Sequence, residues 1–154
     1  MKSFTKVALV AALGLSSLGV FAGEISNSAV LTFGAVNAAG ADSKAFQRIG
    51  VAKDDGKITD SVVAAGNVFN LAVNKGVARQ DIGVAKDNGK IERSIVIATN
   101  SLNYADGDGA EAKQYIGRAS NNGVIRDSFI WADSAFNVAS GSNAKAKQEI
   151  GVAR

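Results

Sequence analysis

The stretch 47-QRIGVAKDDGKI-58 returns as 80-QDIGVAKDNGKI-91 and 114-QYIGRASNNGVI-125, and 148-QEIGVAR-154 repeats its opening. The Ile-Gly pair stands at Ile49, Ile82, Ile116 and Ile150, spaced by 33, 34 and 34 residues. The similarity extends on either side. "GEISNSAV" at Gly23 matches "GKITDSVV" at Gly56, "GKIERSIV" at Gly89 and "GVIRDSFI" at Gly123. Residues 23–154 therefore divide into four units starting at 23, 56, 89 and 123. Each reads G-x-I-x-x-S, then N-x-A, then A-x-Q-x-I-G. A fixed period of this length signals an array of stacked units. The extra residue of the two later units falls near "DGDGAEA" and "SGSNAKA", where a loop is expected.

Arrays of this length are built from helical pairs or from β-coils. Apolar residues here alternate at period two, which is the strand period and not the helix period. The chain of 154 residues has no proline, as suits continuous strands, because proline cannot donate to a ladder. Asp55-Gly56, Asn88-Gly89 and Asn122-Gly123 are tight-turn pairs. Three strands per unit are expected. In the strand over 45–52, Ala45, Gln47, Ile49 and Val51 share one side, and the other side is wet. The strand over 61–65 is apolar on both sides ("SVVAA", "SIVIA", "SFIWA"), so it is expected to be covered on both faces, with Trp131 in the core. The strand around Asn70 puts small residues on one side and Phe69 and Leu71 on the other. One double-covered and one half-exposed strand per unit predict an all-β solenoid, four stacked rungs with a folded-back, Greek-key-like outline.

Stacking sets equivalent residues above one another. Asn37, Asn70, Asn103 and Asn137 form one predicted column, and Gln47, Gln80, Gln114 and Gln148 a second. Each amide can donate to one neighbour and accept from the other. Ser28, Ser61, Ser94 and Ser128 form a third column, and Ile49, Ile82, Ile116 and Ile150 a core column, with Gly56, Gly89 and Gly123 at the turns. Charges alternate in sign along Asp60, Arg93 and Asp127 and along Glu92 and Arg126, and Arg48 lies beside Asp81. Such pairs fix register more than they stabilise. Arg79, Lys113 and Lys147 are a same-sign column, expected to fan into solvent.

The first residues read differently. "MKSFTK" is a basic start, "VALVAALGL" an apolar run too short to span a bilayer, and "SSLGVFA" a small-residue end. Residues 1–22 are thus expected to be a secretory signal peptide cut after Ala22. Cutting there removes Lys2 and Lys6, leaving 15 basic against 14 acidic residues, a net charge of +1 in place of +3. Mixed, nearly balanced charge gives no nucleic-acid footprint. With no cysteine, an exported chain holds together without disulfides, and with no histidine it lacks the commonest general base and metal ligand.

The repeated Ser, Asn-x-Ala, Ala-x-Gln and Ile-Gly-Val-Ala elements behind such a leader resemble bacterial functional amyloid subunits. These are the secreted fibril proteins of curli and Fap biofilm fibres, and the unit length and "IGVA" are closer to the Fap type. The resemblance covers residues 23–154. It implies a β-solenoid that homopolymerises at the surface of a Gram-negative bacterium after passing through the periplasm. It also implies an outer-membrane export pore and a nucleator or minor subunit as partners, and a role in biofilm matrix or adhesion. A monomeric β-solenoid adhesin or carbohydrate-binding surface protein is the alternative.

Neither reading calls for a cofactor or an active site. "GVAKDDGKIT" at Gly50 has the wrong spacing for a phosphate loop, and no Ser or Thr directly follows Lys57. Asp106 and Asp108 have a spacing that can touch calcium, but in one unit only and without the later ligands. The repeated serines have no histidine to activate them. Asp54, Asp55 and Asp87 recur by repetition, unlike a catalytic pair. Residues 23–154 begin and end on repeat units, so head-to-tail stacking of copies is the expected mode of assembly.

Overall fold

The computed structural model describes residues 9–12 and 21–154, with side chains from Gly23 onward. Most of the expected leader, residues 1–8 and 13–20, lies outside the described residues. The strands are β1 (Leu9–Ala12), β2 (Phe21–Ser26), β3 (Ala29–Phe33), β4 (Val36–Ala39), β5 (Lys44–Thr59), β6 (Val62–Ala72), β7 (Val77–Ala85), β8 (Lys90–Glu92), β9 (Ile95–Asp106), β10 (Glu111–Ala119), β11 (Val124–Arg126), β12 (Phe129–Ser140) and β13 (Lys145–Ile150). No helix occurs among the described residues.

The strands form two parallel sheets, one ordered β1-β3-β6-β9-β12 with β4 also on β6, the other β11-β8-β5-β7-β10-β13 with β2 on β5. From Glu24 onward every partner lies one repeat away, whereas β1 pairs with β3 at a separation of 20 residues. Val30 pairs with Val63, Val63 with Val96 and Val96 with Ile130; Gln47 pairs with Gln80, Gln80 with Gln114 and Gln114 with Gln148. The fold is a β-solenoid of stacked coils, because period-two residues with a constant repeat length can bury one face only by stacking. In the third rung, for example, short β8 leads into long β9 and back along β10. The core between the sheets holds Ile49, Ile82 and Ile116 with Ile58, Ile91, Val63 and Val96, all at most 2% exposed, and an alanine cluster including Ala45, Ala72, Ala78 and Ala105. Ile150, at the edge of the last rung, is 42% exposed.

The structure corrects the strand reading at three places. First, the segments over 61–65 and around Asn70 belong to one strand, β6, which bends at left-handed Asn67 (φ 51°), and the Gly-x-Ile segments supply the short strands instead. Second, alternation breaks at Gly50, Gly83 and Gly117, whose φ is 58–59°. Ile49 and Ala52 both reach the core, while Val51 turns outward with Val84 against Tyr115. Val51 therefore does not share a side with Ile49. Third, the left-handed pairs in the turns are Asp54-Asp55, Asp87-Asn88 and Asn121-Asn122, one residue before the expected glycine pairs. Gly56, Gly89 and Gly123 are required for closeness, since a Cβ there would strike the carbonyls of Ala52, Ala85 and Ala119.

The extra residue of the later units sits at one corner. Four residues join Ala72 to Val77, and five join Ala105 to Glu111 and Ala139 to Lys145, while the pairs on either side stay in register.

Candidate functional site

No helix among the described residues is long and apolar enough to cross a membrane, and no group of three or more acidic, His or Cys side chains among them is placed to hold a metal ion. Asp106 accepts a bond from the Tyr104 hydroxyl (3.4 Å) and Asp108 one from Asn143 (3.5 Å). The repeated chemistry lies in the columns between rungs and in the two end rungs.

The asparagine column is continuous. Asn37 Nδ2 donates to Asn70 Oδ1 (2.8 Å), Asn70 to Asn103 (2.7 Å) and Asn103 to Asn137 (2.7 Å). Three of these nitrogens also donate across to the other sheet, Asn70 to Ala45 O, Asn103 to Ala78 O and Asn137 to Ala112 O (3.0–3.2 Å). The glutamine column joins Gln80 Nε2 to Gln47 Oε1 (2.6 Å), Gln114 to Gln80 (2.7 Å) and Gln148 to Gln114 (2.5 Å). Asn70, Asn103, Gln80 and Gln114 are fully buried, so these bonds replace water that the core excludes. Such placement needs inward-facing positions on strands stacked without slip.

The serines act differently from the expected side-chain ladder. Each hydroxyl donates to a carbonyl two residues back, and those of Ser61, Ser94 and Ser128 accept from the backbone of the preceding rung: Ser28 N to Ser61 Oγ, Ser61 N to Ser94 Oγ and Ser94 N to Ser128 Oγ (3.1–3.2 Å). They secure the corner at left-handed Asn27, Asp60, Arg93 and Asp127. There Arg93 grips Asp60 with two bonds of 2.7 Å, which holds the Asp60 carboxyl below its usual value and raises Arg93.

The outward side of the second sheet carries a charged wall, of which the columns in the sequence show only the Arg48–Asp81 pair. Asp81, with no exposed surface, meets Arg79 and Lys86 at 2.9 Å and Arg48 at 3.9 Å. Burial pushes the Lys86 amine down from its usual value, opposed by Asp81. Glu149 meets Arg118 and Lys147 at 3.0 Å and Arg154 at 2.8 Å. Tyr115, between these acids in the same column, lies under the guanidiniums of Arg79 (5.0 Å) and Arg118 (4.5 Å). The same-sign column is thereby explained, and it does not simply fan into solvent. Arg79, Lys113 and Lys147 each pair with an acid two residues away on the same strand face, Asp81, Glu111 and Glu149. The signal was present in "RQDIGVAK" and "KQEIGVAR", a base two residues before an acid and another five after it.

The outward side of the first sheet corrects the expectation of double cover. Trp131 does stand in the column of Leu31, Ala64 and Ile97, yet it is 47% exposed, with Ile95 at 40% and Phe136 at 60%. Within one chain nothing among the described residues covers this face.

Among the described residues the last rung is open, while at the first rung β1 lies on β3 and only β4 and the Lys44–Ile49 part of β5 lack a preceding strand. Strands β11, β12 and β13 each bond to one neighbour only. Lys145 N and Gly151 N donate back to Ala110 O and Ile116 O, so by strand alternation the N–H of Ile150 points away from the chain. No protein-family profile, curated protein or solved structure matches the chain.

Proposed function

We propose that this chain is a secreted structural subunit that stacks head to tail into extracellular amyloid-like fibres, serving biofilm matrix or adhesion. The observation that carries the reading is the open final rung: unpaired strand edges above columns that are already in phase. Unpaired edges template further strands, and a contact between unlike ends does not close, so it gives a filament. The partners are further copies, an outer-membrane export pore and a nucleating subunit. The role is non-catalytic.

The test is dye binding and electron microscopy on the purified chain, with Ile150→Pro as the variant. Proline there removes an N–H aimed at the next copy. Fibres from the wild type and poor extension of wild-type seeds by the variant are expected. A wild type that stays monomeric for days at high concentration sinks the reading. That result favours the second one, a monomeric adhesin or carbohydrate binder, to which the exposed aromatic face with Trp131 and Phe136 lends itself.

A further inference from the structure

The two buried amide ladders run in opposite directions. Asparagines donate from each rung to the following one, Asn37 to Asn70 to Asn103 to Asn137. Glutamines donate from each rung to the preceding one, Gln148 to Gln114 to Gln80 to Gln47. Neither direction is arbitrary. Amide nitrogens of Asn70, Asn103 and Asn137 also donate to carbonyls of the facing sheet, and those of Gln47 and Gln148 donate to Ala35 O (3.4 Å) and Ala135 O (3.0 Å). A flipped amide would set oxygen against a carbonyl oxygen.

The ends of the stack therefore differ chemically. The last rung offers an N–H from Asn137 and the oxygen of Gln148. The first offers the oxygen of Asn37 and an N–H from Gln47. We propose that these four amides are the polarity key of assembly, Asn137 donating to Asn37 of the next copy while Gln148 accepts from Gln47 of that copy. The inference rests on the assembly reading above and adds to it which end meets which, and through which atoms. A copy stacked in the inverted sense with each amide column over its own kind brings donor to donor and acceptor to acceptor. The charged wall agrees: Glu149 holds the column position that Asp81 holds beside Arg48, so the next copy's Arg48 falls beside Glu149.

Two measurements test this. Ala39 and Ala139 face inward in one column, and the chain has no cysteine of its own. Ala39→Cys and Ala139→Cys chains, assembled together and treated with a short thiol cross-linker, are expected to give mixed dimers; each alone is expected to give none. Cross-linked dimers from either variant alone overturn the polarity. In the second measurement, Gln47→Glu keeps the acceptor for Gln80 but replaces the outgoing N–H with a carboxylate oxygen. It is expected to extend wild-type seeds about tenfold more slowly than wild type at neutral pH. The ratio should recover near about pH 3.5, where the introduced carboxyl gains a proton to donate. Because the carboxylate also faces Ala35 O within its own chain, urea unfolding of the dilute variant at both pH values is measured alongside: a slow extension that tracks lost monomer stability is a folding defect and overturns the assignment, whereas slow extension by a stably folded variant supports it. Wild-type extension rates at neutral pH overturn the assignment of Gln47 while leaving the assembly reading intact, whereas a wild type that forms no fibres overturns both. The cysteine pair decides the polarity even where Gln47→Glu fails to fold.

Discussion

Replacing Asn103 with leucine removes the most heavily bonded member of the asparagine column while nearly keeping its volume. Asn103 accepts from Asn70 and donates to Asn137 Oδ1, Ala78 O and Lys113 O, and has no exposed surface. The substitution strands the buried Asn70 N–H and the half-buried Asn137 oxygen, at about 1–3 kcal/mol for each group, with a further loss of about 1 kcal/mol at the carbonyls. Leucine returns about 2 kcal/mol through its apolar surface. A net destabilisation of about 3 kcal/mol is expected. Asn37→Leu, in the half-buried first rung, strands only the Asn70 oxygen and should cost about 1 kcal/mol. Urea unfolding of the dilute monomer, followed by circular dichroism, measures both. With a slope of about 2 kcal/mol/M, Asn103→Leu should lower the midpoint by about 1.5 M and Asn37→Leu by about 0.5 M. Equal shifts, or none for Asn103→Leu, would refute the claim that the ladder carries stability in the interior of the stack.

Asp81→Asn leaves Arg48, Arg79 and Lys86 without their shared carboxylate and should destabilise the chain by about 3–5 kcal/mol in the same unfolding assay. Gly83→Ala combines a left-handed backbone (φ 59°) with a Cβ 2.6 Å from the Val96 side chain, and should lower the melting temperature more than Gly109→Ala, whose Cβ meets nothing within 4 Å. For Asp60, the folded pKa lies below the ordinary aspartate value of 3.8, so its pairing with Arg93 contributes fully above that value and is lost as pH falls through the folded one. An NMR titration should place the Asp60 midpoint below 3.8 in the wild type and return it toward that value in Arg93→Gln; the same midpoint in both would contradict the pairing.

The repeat made the columns legible. Once Gln47, Gln80, Gln114 and Gln148 align at a constant interval, parallel stacking leaves them no other register, and the amide contacts follow. Local backbone was less legible. A single left-handed residue at Gly50 inverts the alternation after it, which is why Val51 is assigned to the wrong side by period alone. Cover was not legible at all. An apolar strand face states that water is unfavourable there, not which molecule displaces it, so Trp131 reads as core and lies exposed. The wall around Asp81 and Glu149 needs three residues from two directions, along the strand and across rungs. Pairwise columns show Arg48 beside Asp81 but not the two further cations.

The corner that absorbs one extra residue between Ala105 and Glu111, and again between Ala139 and Lys145, sets a rule for modifying the molecule. Chain length changes there without disturbing the strand pairs on either side, although the corner keeps bonds of its own between rungs, such as Lys75 N to Asp106 O and Gly107 N to Ser140 O. It is the natural place to graft a foreign peptide, between left-handed Gly107 and Gly109. In a stack of copies, each graft would recur once per four rungs, at intervals of about 19 Å. A molecule built to repeat its own interior would then display an unrelated sequence as an evenly ruled line.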